Sequence, residues 1–271
     1  MRMAVIGGGN MGRALIGGLL AKGASAADFR VGESVPAHRS SLTAAFGVAA
    51  SDDNRWAVAG AQLVILAVKP QSLRAVLEPL RASLEAMRPL VLSVAAGIRV
   101  RDLEQWCGAG VPVVRAMPNR PALVGAGASG LFAPPGVSTA QRALAEATMQ
   151  ALGTALWVPS EDALDAVTAL SGSGPAYFFL LAELMAAAGK RLGLEAQTAE
   201  RLAAATLHGA GALVHASDGD LARLRAEVTS PGGTTEAAVR ALTEAGLRDI
   251  VERALDAAAS RSRELAAQAA S

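Results

Sequence analysis

The chain of 271 residues is expected to form two domains of unlike class, an α/β domain over residues 1–159 and an all-α domain over residues 160–271. In the first half, short apolar runs typical of buried strands alternate with amphipathic stretches of helical spacing. After about Val158 the strand signal disappears and every longer stretch has helical spacing. We place the domain boundary at this change, next to Pro159.

The first domain begins with the apolar run Met3–Ile6, a glycine-rich turn and an amphipathic helix from Asn10 to Lys22. Further strands are expected at Phe29–Gly32, Leu63–Val68, Leu90–Val94, Val111–Ala116, Ser129–Phe132 and Ala155–Val158. Helical stretches such as Gln71–Leu84 and Ser138–Leu152 lie between them. This alternation predicts a parallel sheet with helices on both faces.

The second domain is expected to contain helices alone. Their predicted bounds are Glu161–Leu170, Pro175–Leu192, Ala196–His215, Leu221–Val228, Thr235–Glu244 and Leu247–Ala269.

Composition excludes several classes of protein. Apolar residues make up 52% and charged residues 18% of the chain, which is enough apolar surface for a core and excludes general disorder. The net charge is +1 and no Lys/Arg block is present, so neither nucleic acid nor an anionic membrane is expected as a partner. The longest uninterrupted apolar run, Ala176–Ala182, is too short to span a bilayer. A single cysteine, Cys107, excludes an intrachain disulfide and fits a reducing compartment, and we expect a cytoplasmic protein.

The glycine-rich turn after the first strand matches the pattern G-x-G-x-x-G. Its first glycine permits the tight turn, its second lets the backbone approach a pyrophosphate, and its third allows close packing of helix on strand. The phosphates would lie on the free N–H groups of the helix N-terminus. We therefore expect a dinucleotide cofactor at Gly7, Gly8, Gly9, Asn10, Met11 and Gly12.

The end of the second strand leaves the choice of cofactor open. Glu33 is where an acid would bind the ribose 2′-hydroxyl of NAD and repel a 2′-phosphate. Ser34, His38 and Arg39 follow, and these residues can hold that phosphate. An equally good interpretation is that Glu33 and Arg39 are solvated surface charges with no role in cofactor binding. We favour NADPH, chiefly from the resemblance described below, with NADH as the alternative.

Lys69 stands at the predicted carboxyl end of the strand Leu63–Val68, in the segment Ala-Val-Lys-Pro. Pro70 keeps the preceding residue out of the helical conformation. A lysine at the carboxyl edge of such a sheet suits a cofactor contact, although a surface lysine would also explain it.

The most specific segment is Val228–Glu236, with the sequence Val-Thr-Ser-Pro-Gly-Gly-Thr-Thr-Glu, between two helical runs. Free backbone N–H groups of Gly233, Thr234 and Thr235 would together form a socket for a carboxylate. An ordinary turn with a threonine N-cap is the plainer explanation. A second glycine-rich bend, Ser171–Tyr177, opens the long helix and indicates close approach of the backbone to a cofactor or to a neighbouring helix.

Five segments occur in the order and spacing found in pyrroline-5-carboxylate reductases, and the match spans essentially the whole chain. These segments are Gly7–Gly12, Ala67–Gln71, Arg115–Asn119, Ser171–Tyr177 and Ser230–Thr235, the last being close to diagnostic. The resemblance implies a Rossmann-type domain joined to an all-α dimerisation domain, and reduction of L-1-pyrroline-5-carboxylate to L-proline by NADPH. It also implies a homo-oligomer built from dimers, with a decamer as one assembly it allows, and active sites where one subunit's nucleotide domain meets its partner's helices.

The resemblance and the glycine motif together predict the site residues. Cofactor contacts are expected at Gly7, Gly8, Gly9, Asn10, Met11, Gly12, Ser34, Pro36, Asn54, Val68, Lys69, Pro70, Ala95 and Asn119. Substrate contacts are expected at Glu161, Ser230, Gly232, Gly233, Thr234 and Thr235. Thr235 is the predicted catalytic residue, because its hydroxyl would hydrogen-bond the ring nitrogen of the imine. The chain departs from the family at Arg120, where a threonine is usual, and at Asp220-Leu221, where His-Pro is usual.

No metal site is expected. His208 and His215 lie seven residues apart, which is not the spacing of metal ligands on a helix, and Cys107 has no evident base and is expected to be buried.

Three other functions compete with this one. A β-hydroxy acid dehydrogenase of the same superfamily would need a catalytic Lys soon after the bend Ser171–Tyr177, but the first one is the distant Lys190. A reductase of another cyclic imine stays open, since pocket size decides it. A non-catalytic NAD(P)-binding protein is disfavoured by the intact Ser230–Thr235 segment.

Overall fold

The computed structural model describes residues 1–269, and its chain folds as two compact units. The first unit comprises Met1–Ser173 together with the chain from Ala257 onward, and the second comprises Gly174–Asp256. The prediction had divided the chain at residue 159 instead. Residues 160–173 cluster with the first unit because Arg99 pairs with Asp162 and because the Asp165 carboxylate accepts a hydrogen bond from Ser262 Oγ at 2.6 Å.

The first unit contains one sheet of eight strands in the order β3-β2-β1-β4-β5-β6-β7-β8. The strands are β1 Met3–Ile6, β2 Phe29–Gly32, β3 Ala49–Ser51, β4 Leu63–Leu66, β5 Leu90–Ser93, β6 Val113–Met117, β7 Gly127–Phe132 and β8 Gly153–Trp157. Strands β1, β4 and β5 are buried along their whole length, which is why they read as continuous apolar runs in the sequence.

Two features of the sheet differ from prediction. Strand β7 runs antiparallel to β6, so the expectation of a wholly parallel sheet was wrong at this pair. Only residues 118–126 join the two strands, and a parallel connection needs a crossover of a dozen or more residues. The prediction also missed β3, a three-residue edge strand with no buried residue.

Helices cover both faces of this sheet, as predicted. Their bounds are α1 Asn10–Ala21, α2 Pro36–Phe46, α3 Asn54–Val58, α4 Leu73–Leu77, α5 Arg81–Met87, α6 Val100–Cys107, α7 Thr139–Gln150 and α8 Ala163–Val167. The predicted helix Gln71–Leu84 is broken, because Pro79 lies in a 3₁₀ turn, Glu78–Leu80, between α4 and α5. Apolar side chains pack in one layer on each face, with Leu15 and Ile16 on one side and Leu77 and Leu103 on the other.

The second unit is helical. Its helices are α9 Gly174–Arg191, α10 Ala196–His215, α11 Leu221–Glu227, α12 Thr234–Glu244 and the first part of α13 Leu247–Ala269. Its buried apolar side chains, among the described residues, are the three alanines Ala186, Ala199 and Ala203. Such small side chains alone make a weak core.

Candidate functional site

The order of the strands places a crevice between β1 and β4. The chain leaves β1 for β2 on one side and reaches β4 on the other, so the connections diverge at the carboxyl ends of β1 and β4. Such a switch point is where open α/β sheets bind their ligands. Gly7 follows β1 directly at this point.

Packing within the protein explains the first glycine of this turn but not the third residue, Gly9. Gly7 has φ +101°, and a Cβ there would lie 2.7 Å from the Ala67 carbonyl oxygen, so only glycine fits. At Gly9, by contrast, no heavy atom of the described chain lies within 4 Å of where a Cβ would be. The fold itself does not require that glycine. No side chain caps the N-terminus of α1 in the described structure. The space beside this helix start suits an anion such as pyrophosphate.

Glu33 is a structural partner of this turn. Its carboxylate accepts hydrogen bonds from the Gly8 N–H at 2.7 Å and the Val35 N–H at 2.8 Å. Its side chain is only 8% exposed, so the interpretation of Glu33 as a solvated surface charge was wrong. Burial by itself would raise the pKa of this carboxyl, but the two backbone hydrogen bonds and His38 hold the pKa below its ordinary value.

Arg39 is also a structural residue. Its guanidinium donates to the carbonyl oxygens of Glu33 at 2.8 Å and Ser34 at 2.9 Å, and lies 3.7 Å from Asp52. The interpretation as a free surface charge was therefore wrong here too. Ser34 and His38 remain exposed beside it.

The other predicted cofactor residues lie at the carboxyl ends of strands or just beyond them. Lys69 is exposed after β4 with φ −61° and ψ 144°, the extended conformation that its proline neighbour imposes. Ala95 is buried after β5. Val68 packs near Gly7, and the Asn54 side chain lies against Gly32 at the end of β2. Met11 in α1 is partly exposed, as is Pro70 after Lys69, and Pro36 is exposed at the start of α2.

Asn119 and Glu161, both predicted to contact ligands, are engaged within the first unit. The Asn119 amide donates to the Ser171 carbonyl at 3.0 Å and accepts from the Ala128 N–H at 2.9 Å. Glu161 Oε1 accepts from Arg115 Nη1 and from the Val100 N–H, each at 2.6 Å. These contacts give both side chains a structural role, and their contact with a ligand stays a prediction.

The turn that precedes α12 lies on the surface of the second unit. Helix α12 begins at Thr234, with Gly233 as its N-cap and no side chain capping it in the described structure. The explanation by a threonine cap was therefore wrong. Gly233 N–H is not free either, because it donates to the Ser230 carbonyl at 3.0 Å. The N–H groups left at the helix start belong to Thr234, Thr235 and Glu236, the first three residues of α12.

An acid of the same turn was not foreseen. Glu236, in the first turn of α12, accepts a hydrogen bond from the Gly232 N–H at 2.8 Å. Gly232 has φ +70°, so glycine is the residue that suits this position. The spacing of four residues between donor and acceptor was visible in the sequence, but nothing there distinguished this acid from a solvated one.

The bend Ser171–Tyr177 has a packing explanation in its first half. A π-helical turn, Thr168–Gly172, ends α8, and a Cβ at Gly172 would lie 3.0 Å from Met117 Cε. Asn119 also binds the Ser171 carbonyl. The first glycine of this bend therefore packs closely against the end of β6, through the flexible end of the Met117 side chain.

The departure at Asp220 has a local explanation. The Asp220 carboxylate caps α11 by accepting from the Ala222 and Arg223 N–H groups, each at 3.0 Å. Arg120 is exposed at the start of a 3₁₀ helix, Arg120–Val124. Neither residue lies within the turn before α12.

A cavity of about 780 Å³ in the first unit borders Pro70 and Gly97, beside the carboxyl ends of β4 and β5. Trp106 and Arg261 also line it, and neither was singled out from the sequence. Nothing in their local sequence, an amphipathic helix in each case, marks them as cavity residues.

Other chemistries find little support in the structure. Cys107 is buried, and burial raises the pKa of its thiol to about 12, so it is a poor nucleophile. Within residues 1–269, no cluster of three or more His, Cys, Asp or Glu side chains has the geometry to hold a metal ion. None of the helices described is both long and apolar enough to cross a membrane.

The fold and the glycine turn define the class: a dinucleotide-binding protein with a Rossmann-type domain. Residues 2–97 match the family model described as NADP oxidoreductase coenzyme F420-dependent, and residues 161–265 match that described as pyrroline-5-carboxylate reductase dimerisation. The pyrroline-5-carboxylate reductase of Pseudomonas aeruginosa is 48% identical over 98% of this chain and 97% of its own length. The chain therefore belongs to the pyrroline-5-carboxylate reductase family.

Solved structures agree. The pyrroline-5-carboxylate reductase of Coxiella burnetii superimposes with a TM-score of 0.94 at 41% identity, covering 97% of this chain and 98% of the other. The Plasmodium falciparum pyrroline carboxylate reductase, solved with NADP bound, gives a TM-score of 0.80 at 25% identity and covers 98% of both chains. The predicted fold class, a Rossmann-type domain followed by a helical domain, is confirmed.

Proposed function

We propose that this chain reduces L-1-pyrroline-5-carboxylate to L-proline, with NADPH as the hydride donor and no metal. The observation that carries the proposal is the pair of uncapped helix starts, α1 behind Gly9 and α12 behind Gly233. One suits a pyrophosphate and the other a substrate carboxylate. Membership of the family supports the same substrate.

The chemistry needs few groups from the protein. When bound, NADPH supplies a hydride from C4 of its nicotinamide to the imine carbon. The ring nitrogen, protonated before the transfer, keeps its proton and becomes the amine of proline, and NADP⁺ is released. The protein must hold the two carbons about 3–3.5 Å apart. The Thr234 and Thr235 N–H groups hold the carboxylate, and the Thr235 hydroxyl hydrogen-bonds the ring nitrogen.

The remaining site residues follow from the family. We assign substrate contacts to Ser230, Gly232, Gly233 and Glu161 as well, and cofactor contacts to the glycine turn and to the residues after β2, β4 and β5. Ser34 is exposed next to that turn, where the 2′-phosphate of NADPH would lie. The NADP bound in the Plasmodium falciparum relative supports this choice of cofactor.

The working form is a homo-oligomer with the dimer as its building block. The second unit buries little but alanine, whereas Phe178 and Phe179 on α9 are 60% and 61% exposed and Leu181 is 49% exposed. A surface of this kind marks an interface. We place each active site where the nucleotide domain of one subunit meets the helices of its partner, and the protein in the reducing cytoplasm.

The test follows NADPH absorbance with three substrates. The absorbance falls when pyrroline-5-carboxylate or its six-membered homologue piperideine carboxylate is reduced by NADPH, and it rises when a β-hydroxy acid is oxidised by NADP⁺. We expect the highest kcat/KM with pyrroline-5-carboxylate. A higher value with the six-membered ring would reassign the substrate. Turnover of the hydroxy acid alone, or no turnover at all, would overturn the proposal. Repeating the assay with NADH decides the cofactor preference.

A further inference from the structure

Glu33 stands where Rossmann-type domains select their cofactor, yet its geometry is not that of a selector. An acid that binds the ribose must direct a carboxylate oxygen outward to the ligand. Both oxygens of Glu33 instead accept backbone N–H groups of the protein, and the side chain is almost fully buried.

The two N–H groups that Glu33 joins belong to different parts of the cofactor site. Gly8 lies in the glycine turn that receives the pyrophosphate under the proposed function. Val35 lies between Ser34, where the 2′-phosphate of NADPH would lie, and Pro36, and both of these residues are predicted to contact the cofactor. One carboxylate therefore sets the distance between these two parts.

Neighbouring side chains hold Glu33 in this arrangement. A Cβ at Gly8 would lie 2.5 Å from Leu42 Cδ1 and 3.1 Å from Glu33 Oε2, so the turn is packed tightly on the carboxylate. Arg39 donates hydrogen bonds to the carbonyl oxygens of Glu33 and Ser34. These bonds fix the backbone of the segment that carries the carboxylate. On its exposed side the carboxylate faces His38, whose Nδ1 lies 3.7 Å from Glu33 Oε2.

We propose that Glu33 is a positioning residue for the whole dinucleotide site, tying the Gly8 N–H to the Val35 N–H, and does not select NADH over NADPH. This inference rests on the proposed function only in that a nicotinamide dinucleotide is bound. A selector and a positioning residue predict opposite results when the carboxylate is removed. Loss of a selector acid shifts preference toward NADPH, whereas loss of the tie weakens both cofactors alike.

The experiment compares wild type with Glu33→Gln and Glu33→Ala. Affinities of the substrate-free proteins for NADPH and NADH are measured by nucleotide fluorescence, and KM and kcat are measured with pyrroline-5-carboxylate. Asp52→Asn is the matched control, because Asp52 is an exposed acid near Arg39 that does not touch the glycine turn. Glu33→Gln keeps one acceptor oxygen and guards against misfolding of the alanine variant.

We expect Kd and KM for both cofactors to rise about tenfold in Glu33→Ala, as for loss of hydrogen bonds to a charged group. The rise should be smaller in Glu33→Gln, with kcat within about twofold and the ratio of the two cofactors within about threefold of wild type. A shift of more than about tenfold toward NADPH, or unchanged affinity for both cofactors, overturns the inference. Wild type that binds neither nucleotide would contradict the proposed function itself, so the two failures are distinguishable.

Discussion

The glycine-rich turns before α1 and before α12 are held in different ways. The glycine turn before α1 is packed between Leu42, Ala67 and the Glu33 carboxylate, all within the first unit. The turn before α12 is exposed and held by its own residues, through Gly233 to Ser230 and Gly232 to Glu236. The first turn is thus part of a finished core, whereas the second depends on short-range contacts.

The two units that contain these turns also differ in how many of their large apolar side chains are buried. The first has large apolar side chains buried on both faces of its sheet, while the second exposes most of its large ones. The difference supports two parts of the proposal: that the first unit holds the cofactor, and that the second unit is completed by another subunit.

The largest effect should come from the exposed face of α9. Phe178→Ser together with Leu181→Ser removes two large apolar side chains that we place in the dimer interface. Because both subunits carry the two substitutions, four side chains leave the interface, and at about 1.5–3 kcal/mol for each the dimer should weaken by about 10⁴-fold or more. Sedimentation should show monomers at micromolar concentration, with loss of activity.

Val124→Ser is the matched control for that variant, since Val124 is an even more exposed apolar residue in the first unit. It should leave mass and activity unchanged. A double variant that stays dimeric and active would contradict the proposal that the exposed face of α9 forms the dimer interface.

The next effect should be at Thr235. Thr235→Ala deletes the hydroxyl proposed to bind the ring nitrogen and should lower kcat/KM for pyrroline-5-carboxylate by about 10- to 100-fold, the usual cost of an unpaired buried polar group. Thr235→Ser should restore most of the loss. Thr243→Ala, which removes a hydroxyl bonded to the Val239 carbonyl on the same helix, should be near neutral. Full turnover of Thr235→Ala with unchanged substrate affinity would remove the catalytic role.

Smaller effects are expected at two glycines of the glycine turn, one proposed to matter for cofactor binding and the other for stability. Gly9→Ala meets no neighbour and has φ −70°, so the free energy of unfolding should hold, while KM for NADPH rises about tenfold. Gly7→Ala should lower the free energy of unfolding by about 1–3 kcal/mol, because φ is +101° and the Ala67 carbonyl is too close. Urea unfolding and steady-state kinetics check both, and equal effects of the two variants on stability would contradict the account.

The smallest expected effect is on how stability depends on pH. Because the pKa of Glu33 is lowered in the folded protein, its contribution to stability is present above the ordinary value of 4.5 and is lost as pH falls through the folded value. Glu33→Gln should therefore lower the free energy of unfolding by about 1 kcal/mol near neutral pH. The difference from wild type should shrink below about pH 4.5. Urea unfolding at several pH values measures it, and a difference that grows with acid would be the wrong sign.

Much of the fold followed from the sequence. Helix α10 begins and ends at the predicted residues, because Glu195 caps its start and the apolar periodicity is unbroken up to His215. Strand β3 and the reversed β7 were missed, since a three-residue edge strand has no apolar pattern and direction depends on the length of a loop.

Of the candidate site, the sequence predicted the two glycine-containing motifs but not the contacts that hold them. The glycine turn and the turn before α12 were located, but the structural roles of Glu33 and Asn119 were not, because each depends on backbone groups that only the folded chain brings near. The same reason explains why the Gly233 N–H was expected to be free and is not.

We propose that the glycine turn of one subunit and the turn before α12 of another form a single active site. A crystal structure of the protein with NADP⁺ and L-proline tests it most directly. We expect the proline carboxylate on the Thr234 and Thr235 N–H groups of one subunit, with its ring carbon about 3–3.5 Å from the nicotinamide C4 bound at the glycine turn of the other. Proline bound away from α12, or the two turns separated in every pair of subunits, would contradict the account.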